Sequence, residues 1–125
     1  NIDGLSDYTS PAALMYENDP KKKVSAAGSW FGGSYEEKPE LWKEASPINY
    51  VSKNTPPMLF IDSAQTRFSV GRDEMIERMK PLGIPYQVVF LPDTPHSFWL
   101  FDPWLAPTLK ASVAFLNEQF HYSWP

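Results

Sequence analysis

No cysteine occurs in the 125 residues, so neither a disulfide framework nor a thiolate metal site is available. Histidine is scarce as well. His96 and His121 are the only two, and with scattered carboxylates they give no metal-ligand spacing, so no metal and no cofactor is expected. No apolar run approaches the ~20 residues that span a bilayer, and no signal-peptide pattern is visible. A membrane partner is therefore not expected. Basic residues cluster only at Lys21-Lys22-Lys23, in a chain of net charge −4 and pI about 5.1. That run reads as a solvated turn, whereas nucleic acid requires a broader basic face. The glycines from Gly28 to Gly33 lack both the lysine and the strand–turn–helix setting of a phosphate loop. With Asn rather than Met at position 1, the chain is expected to continue from upstream sequence.

What the chain does have is aromatic and apolar mass: 42% hydrophobic residues, with 5 Trp, 6 Tyr and 8 Phe. A disordered chain is poorer in both. Its 13 prolines predict short elements and many loops. Asn1-Ile2-Asp3-Gly4 reads as the end of a strand already under way. Ser10 followed by Pro11 predicts a helix over 10–17. Further short helices are expected over 21–28 and 37–45, the latter beginning near Pro39. The apolar run Met58-Leu59-Phe60-Ile61 suits a strand buried on both faces. A helix then follows from Gly71 to Leu82, with Met75, Ile76, Met79 and Leu82 at helical spacing and Gly83 as its stop. Tyr86–Leu91 is a second buried strand, and Pro92–Pro103 a loop. The last helix spans 104–120, with Leu105, Leu109, Val113, Leu116 and Phe120 on one stripe.

Strand, helix, strand, helix over 57–120 predicts an α/β architecture with parallel strands, flanking helices and right-handed crossovers. Residues 1–56 read as a strand end plus a cap-like excursion, and 121–125 as a tail. So few strands cannot form a doubly covered sheet alone. The sheet is expected to be incomplete without strands from elsewhere.

Chemistry centres on His96, which follows the second strand in Pro95-His96-Ser97-Phe98-Trp99. In open parallel sheets functional groups gather at the carboxyl ends of strands, and a histidine there suits a general base near neutral pH. A lone histidine is more often a loop-packing residue, and His121, beyond the last helix, is expected to have no catalytic role. A serine nucleophile of this architecture needs Gly-x-Ser-x-Gly between strand and helix. Gly32-Gly33-Ser34-Tyr35-Glu36 fails at its last position and Gly4-Leu5-Ser6 fails as well, so no nucleophile elbow is present. The acid that would orient the histidine is open among Asp3, Asp62, Asp73 and Asp93. Each also has an ordinary role: Asp62 and Asp93 in turns, Asp73 at a helix N-terminus.

Trp30-Phe31-Gly32-Gly33-Ser34, then Ala45-Ser46-Pro47-Ile48, then Pro56-Pro57-Met58-Leu59-Phe60-Ile61 stand in an order similar to that of small α/β-hydrolase esterases, the polysaccharide-associated relatives of acetyl xylan and feruloyl esterases. Leu82-Gly83-Ile84-Pro85, the strand 86–91 and His96 continue the resemblance, which covers the chain from Asn1 to about Phe120. Arg67-Phe68, Gly71-Arg72-Asp73 and Pro95-His96-Ser97-Phe98-Trp99 also resemble a subset similar to bacterial pectin-degradation esterases. The resemblance implies the C-terminal half of an α/β-hydrolase fold and a serine carboxylesterase acting on acylated plant or algal polysaccharide or its oligosaccharides. It also implies a secreted or periplasmic setting. His96 would be the catalytic base, and the N-terminal half of the fold would carry the serine. Thr66 stands where the acid commonly falls, which leaves Asp73 or Asp3 for that role. Trp30, Phe98 and Trp99 are candidates for substrate binding. The rival expectation is a non-catalytic binding module, consistent with the lack of a nucleophile.

Overall fold

A computed structural model describes residues 1–121; apart from His121, the tail expected over 121–125 lies outside them. Two five-residue strands, β1 (Met58–Asp62) and β2 (Tyr86–Phe90), pair in parallel with Met58 opposite Tyr86 and Asp62 opposite Phe90. The first residues add a third parallel line. Ile2 bridges to Ile61, the Ile61 N–H donates to the Asn1 carbonyl at 2.9 Å, and the Asp3 N–H donates to the Ile61 carbonyl at 2.8 Å. Across the sheet the order is residues 1–3, β1, β2. All three run the same way, so Asp3, Asp62 and the loop after β2 emerge at one edge. The result is a small mixed α/β domain.

β1 is buried on both faces because it alternates between two cores. Phe60 points one way, into a cluster with Ile48, Met75, Ile76, Met79 and Ile84 under α4 (Arg72–Met79). Leu59 and Ile61 point the other way, against Phe98 and against Phe115 of α5 (Leu105–Phe120). Helices thus cover opposite faces of the strand, as expected for a parallel pair joined by a crossover.

The N-terminal half folds as three short helices, α1 (Pro11–Glu17), α2 (Ala26–Phe31) and α3 (Pro39–Glu44). The Ser10 hydroxyl accepts the Ala13 N–H in front of α1, and Pro11 takes the first-turn position. The helix expected over 21–28 begins later, at Ala26. The Ser25 hydroxyl caps Gly28 at 2.9 Å while donating to the Glu17 carbonyl at 2.6 Å, so the preceding lysines remain an exposed turn. Trp42 of α3 is completely buried and donates its indole N–H to the Gly33 carbonyl.

Three further expectations change. The helix expected to reach Leu82 stops as α-helix at Met79 and tightens into a 3-10 turn over Lys80–Leu82. Pro81 has no N–H for the α-helical ladder, and Leu82 stays exposed. β2 is not buried: Tyr86, Val88 and Phe90 are 38%, 43% and 57% exposed, because β2 is the edge of the sheet and α5 covers β1. The stripe expected to face the core from α5 points outward, with Leu109, Val113 and Leu116 about half exposed. Thr108 and Phe115 are the buried residues of that helix, and Ala111 packs beside them. The small Thr and Ala side chains let α5 approach the sheet closely, with Thr108 donating to the Trp104 carbonyl at 2.7 Å.

Gly71, ahead of α4, has φ +84°. A Cβ there would lie 2.6 Å from the Asp7 nitrogen, where the Ser6 N–H donates to the Val70 carbonyl. Gly71→Ala is expected to lose roughly 1–3 kcal/mol from the left-handed backbone alone, and more from the clash. The check is a lower denaturant midpoint at unchanged slope.

Candidate active site

The site forms where the parallel strands end. Asp3 follows the Ile2 bridge in the left-handed region, at φ +49°, which Asp tolerates better than most residues. Its carboxylate is wholly buried. One oxygen, Oδ1, accepts the Ser63 N–H at 2.9 Å. The other, Oδ2, lies 2.7 Å from His96 Nδ1. A carboxylate only accepts, so Nδ1 carries the hydrogen and Nε2 is the free nitrogen of the neutral ring. Among the described residues Nε2 has no hydrogen-bond partner.

The loop that carries His96 is pinned at Thr94. Its buried hydroxyl accepts the Ala64 N–H at 3.0 Å and donates to the Leu91 carbonyl at 2.7 Å. This ties the ends of β1 and β2 together and sets where the next residues emerge. Phe68 stacks flat on the His96 ring at 3.6 Å between centroids, and Trp99 meets the ring edge-on at 5.4 Å. The imidazole is therefore clamped between two aromatics and a carboxylate, with 39% of its side chain exposed.

The other candidate acids have different partners. Asp62 is buried at the end of β1 and pairs with Arg72 Nη1 at 2.5 Å; Arg72 Nε reaches Asp73 at 2.9 Å, and Asp73 is 76% exposed. Burial pushes the Asp62 carboxyl up, against the pull of Arg72, while Asp73 and then Asp62 hold the guanidinium above its ordinary value despite its partial burial. Asp93 is exposed at φ +55°, as a turn residue. Neither Asp73 nor Asp62 hydrogen-bonds to His96, because Arg72 gathers both on the α4 side of the strand end.

The aromatic candidates separate as well. Phe98 is completely buried in the core with Leu59, Ile61 and Phe115. It corrects the expectation of substrate contact, because no surface of it remains to touch one. Trp99 is half-buried and buttresses His96. Trp30, 87% exposed, stands at the rim of a cavity of about 490 Å³ lined by Asp3, Tyr8, Glu17, Phe31, Phe68 and His96, among others. Sequence reasoning missed Tyr8 and Glu17. The available signal was weak: Glu17 shares a helix face with Ala13, four residues earlier, and both are buried.

A larger cavity, about 790 Å³, opens on the other side of β1 between Ile2, Met58, Phe115 and Leu116. No carboxylate, histidine, lysine or arginine lines it, so it is an apolar concavity without acid–base chemistry. Among the described residues no cluster of His, Asp and Glu could hold a metal ion, and no helix is long and apolar enough to cross a membrane.

The BD-FAE family model matches residues 1–69, more than half of the chain. The matched segment includes Asp3, Glu17 and Phe68 and ends before the His96 loop. No curated protein and no solved structure matches the chain.

Proposed function

This chain belongs to the BD-FAE family of α/β-hydrolase-like, feruloyl esterase-like domains, and from that premise we propose that it is the C-terminal part of a serine carboxylesterase, with His96 as the general base and Asp3 as its acid. The observation that carries this reading is the 2.7 Å hydrogen bond from His96 Nδ1 to the buried Asp3 carboxylate, which leaves Nε2 unpartnered on a ring that borders a cavity. In this arrangement a serine attacks the ester carbonyl, and Nε2 takes its proton and returns it to the leaving alcohol. Asp3 maintains the tautomer and stabilises the imidazolium as it forms. The oxyanion is met by backbone N–H groups near the nucleophile.

The serine comes from the N-terminal half of the same fold, which is the partner of this chain. Its support is the apolar surface left open beside residues 1–3: the 790 Å³ concavity lined by Ile2, Met58, Phe115 and Leu116. A large open apolar face is a feature of surfaces that another element covers. The substrate is an acyl ester on a plant or algal polysaccharide or its oligosaccharides, encountered outside the cell or in a periplasm. Trp30 offers an exposed platform beside the cavity.

The test uses a polypeptide in which this chain follows a Gly-x-Ser-x-Gly segment. It is expected to hydrolyse 4-nitrophenyl acetate and to be labelled by a fluorophosphonate at that serine. A protein that does neither overturns the esterase reading and leaves the binding-module alternative.

A further inference from the structure

One hydrogen bond does not fix the direction of the His96 ring. Asp3 holds Nδ1 at a single point, and the last torsion of a histidine side chain is broad. Nε2 is therefore free to swing unless a surface confines the ring. Phe68 is that surface: its ring lies 3.6 Å from the imidazole between centroids, tilted by only 12°. Trp99 meets the imidazole edge-on. Phe68 itself stands in a four-residue 3-10 turn, Thr66–Ser69, which buries no residue and has no side-chain cap. Such a turn is weak by itself, so the position of Phe68 has to be set from outside it.

The neighbouring residue supplies the anchor. Arg67 Nη2 lies 2.5 Å from Glu17 Oε1. The guanidinium also sits 5.0 Å from the Tyr16 ring and 4.9 Å from the Phe68 ring. Tyr16 and Glu17 are the last two residues of α1, so the end of this helix grips the turn that carries Phe68. Stability does not account for the grip. A carboxylate at the end of a helix opposes the helix dipole, and the Glu17 side chain is only 7% exposed. Arg67 Nε is buried without a hydrogen-bond partner among the described residues. A buried ion pair seldom outdoes apolar packing. Local rules broken without a local gain point to a functional use, and here the use lies one residue away, where Phe68 faces His96.

We infer that Glu17 and Arg67 are positioning residues for the reaction: they hold Phe68 flat against His96, and the stack gives Nε2 a single direction toward the serine. The inference rests on the esterase reading for its effect on rate, whereas the stack itself is measurable without turnover.

The test uses the serine-bearing protein. Phe68→Leu keeps apolar bulk and removes the flat face. It is expected to lower kcat for 4-nitrophenyl acetate by about ten- to a hundredfold, the scale of a small misplacement of a reacting group. KM should stay within about twofold, because His96 acts in both acylation and deacylation. Phe68→Tyr restores the face and should restore kcat. Glu17→Ala, and Arg67→Met from the more exposed half of the pair, are expected to lower kcat about tenfold. Neither should lower it further in the Phe68→Leu background, since residues acting through one contact are not additive. NMR follows the carbon-bound ring proton of His96, assigned by its loss in His96→Ala. The stacked ring shifts this signal upfield, and the shift should vanish in Phe68→Leu and shrink in Glu17→Ala and Arg67→Met.

Wild-type kcat in Phe68→Leu, losses that multiply in the double variants, or a His96 signal unmoved in Glu17→Ala and Arg67→Met overturns the inference. Any of these with labelling and hydrolysis intact in the unmodified protein strikes the positioning alone. An unmodified protein that neither hydrolyses nor labels strikes the esterase reading, and the rate effect with it, while the NMR signal still decides whether Glu17 and Arg67 hold the stack.

Discussion

His96→Ala is expected to lower kcat/KM for ester hydrolysis by about 10⁴-fold in the serine-bearing protein, the scale on which members of a nucleophile–base–acid unit act. Without the imidazole nothing takes the serine proton as the carbonyl is attacked, and nothing returns it to the leaving alcohol. What remains is substrate positioning and the oxyanion donors. A moderate loss of stability is expected. The flat stack on Phe68 is worth about 1 kcal/mol, and losing the Nδ1 hydrogen bond leaves the buried Asp3 Oδ2 without that partner, which costs roughly 1–3 kcal/mol more. The measurement pairs steady-state hydrolysis of 4-nitrophenyl acetate with thermal unfolding. A variant that keeps wild-type turnover removes His96 from the mechanism, and one that unfolds early would show that the ring mainly packs the loop.

Asp3→Asn is expected to cost about the same, roughly 10⁴-fold, with Asp73→Asn changing the rate by no more than about twofold. The amide is nearly isosteric with the carboxylate and its oxygen can still accept the Ser63 N–H. Its NH₂ group then faces His96 Nδ1, which must accept rather than donate. The proton moves to Nε2, and the nitrogen needed as a base is blocked. The neutral amide also fails to stabilise the imidazolium. Asp73 bonds to Arg72 on the solvent side, so its loss touches neither effect. If Asp73→Asn proved as damaging as Asp3→Asn, the acid would have to be reassigned. The pair of variants therefore decides between the two acids that the resemblance left open, in the same assay as His96→Ala.

Several elements were legible in the sequence because their causes are local. Ser10 ahead of Pro11 marks the start of α1, Gly83 marks a helix stop, and the run Met58–Ile61 is apolar at every position. Each depends on backbone chemistry or burial within a few residues. His96 stood out for a similar reason, as a rare residue just beyond a strand. Its loop is set by Thr94, and its distance from the strand end is a count along the chain.

The carboxylate partner of His96 was not legible in that way. Asp3, Asp62, Asp73 and Asp93 are all carboxylates near element ends, and nothing in their neighbouring residues separates them. Asp3 and His96 lie 93 positions apart. They meet because residues 1–3 pair in parallel with β1, β1 pairs with β2, and all three end at one edge. Arg72 draws Asp62 and Asp73 the other way, a choice made by how α4 packs on β1. The facing of α5 was misread for the same kind of reason: both of its sides are apolar, so helical periodicity could not say which one meets the sheet. Phe98 and Trp104, ahead of the helix, pack in the same cluster as Phe115, and Thr108 and Phe115 rather than Leu109 and Leu116 are buried. The sequence alone determined the family resemblance, the order of the elements and the histidine. Tertiary structure decided which carboxylate meets His96, the cavity and the exposed faces, because each depends on contacts between segments far apart in the chain.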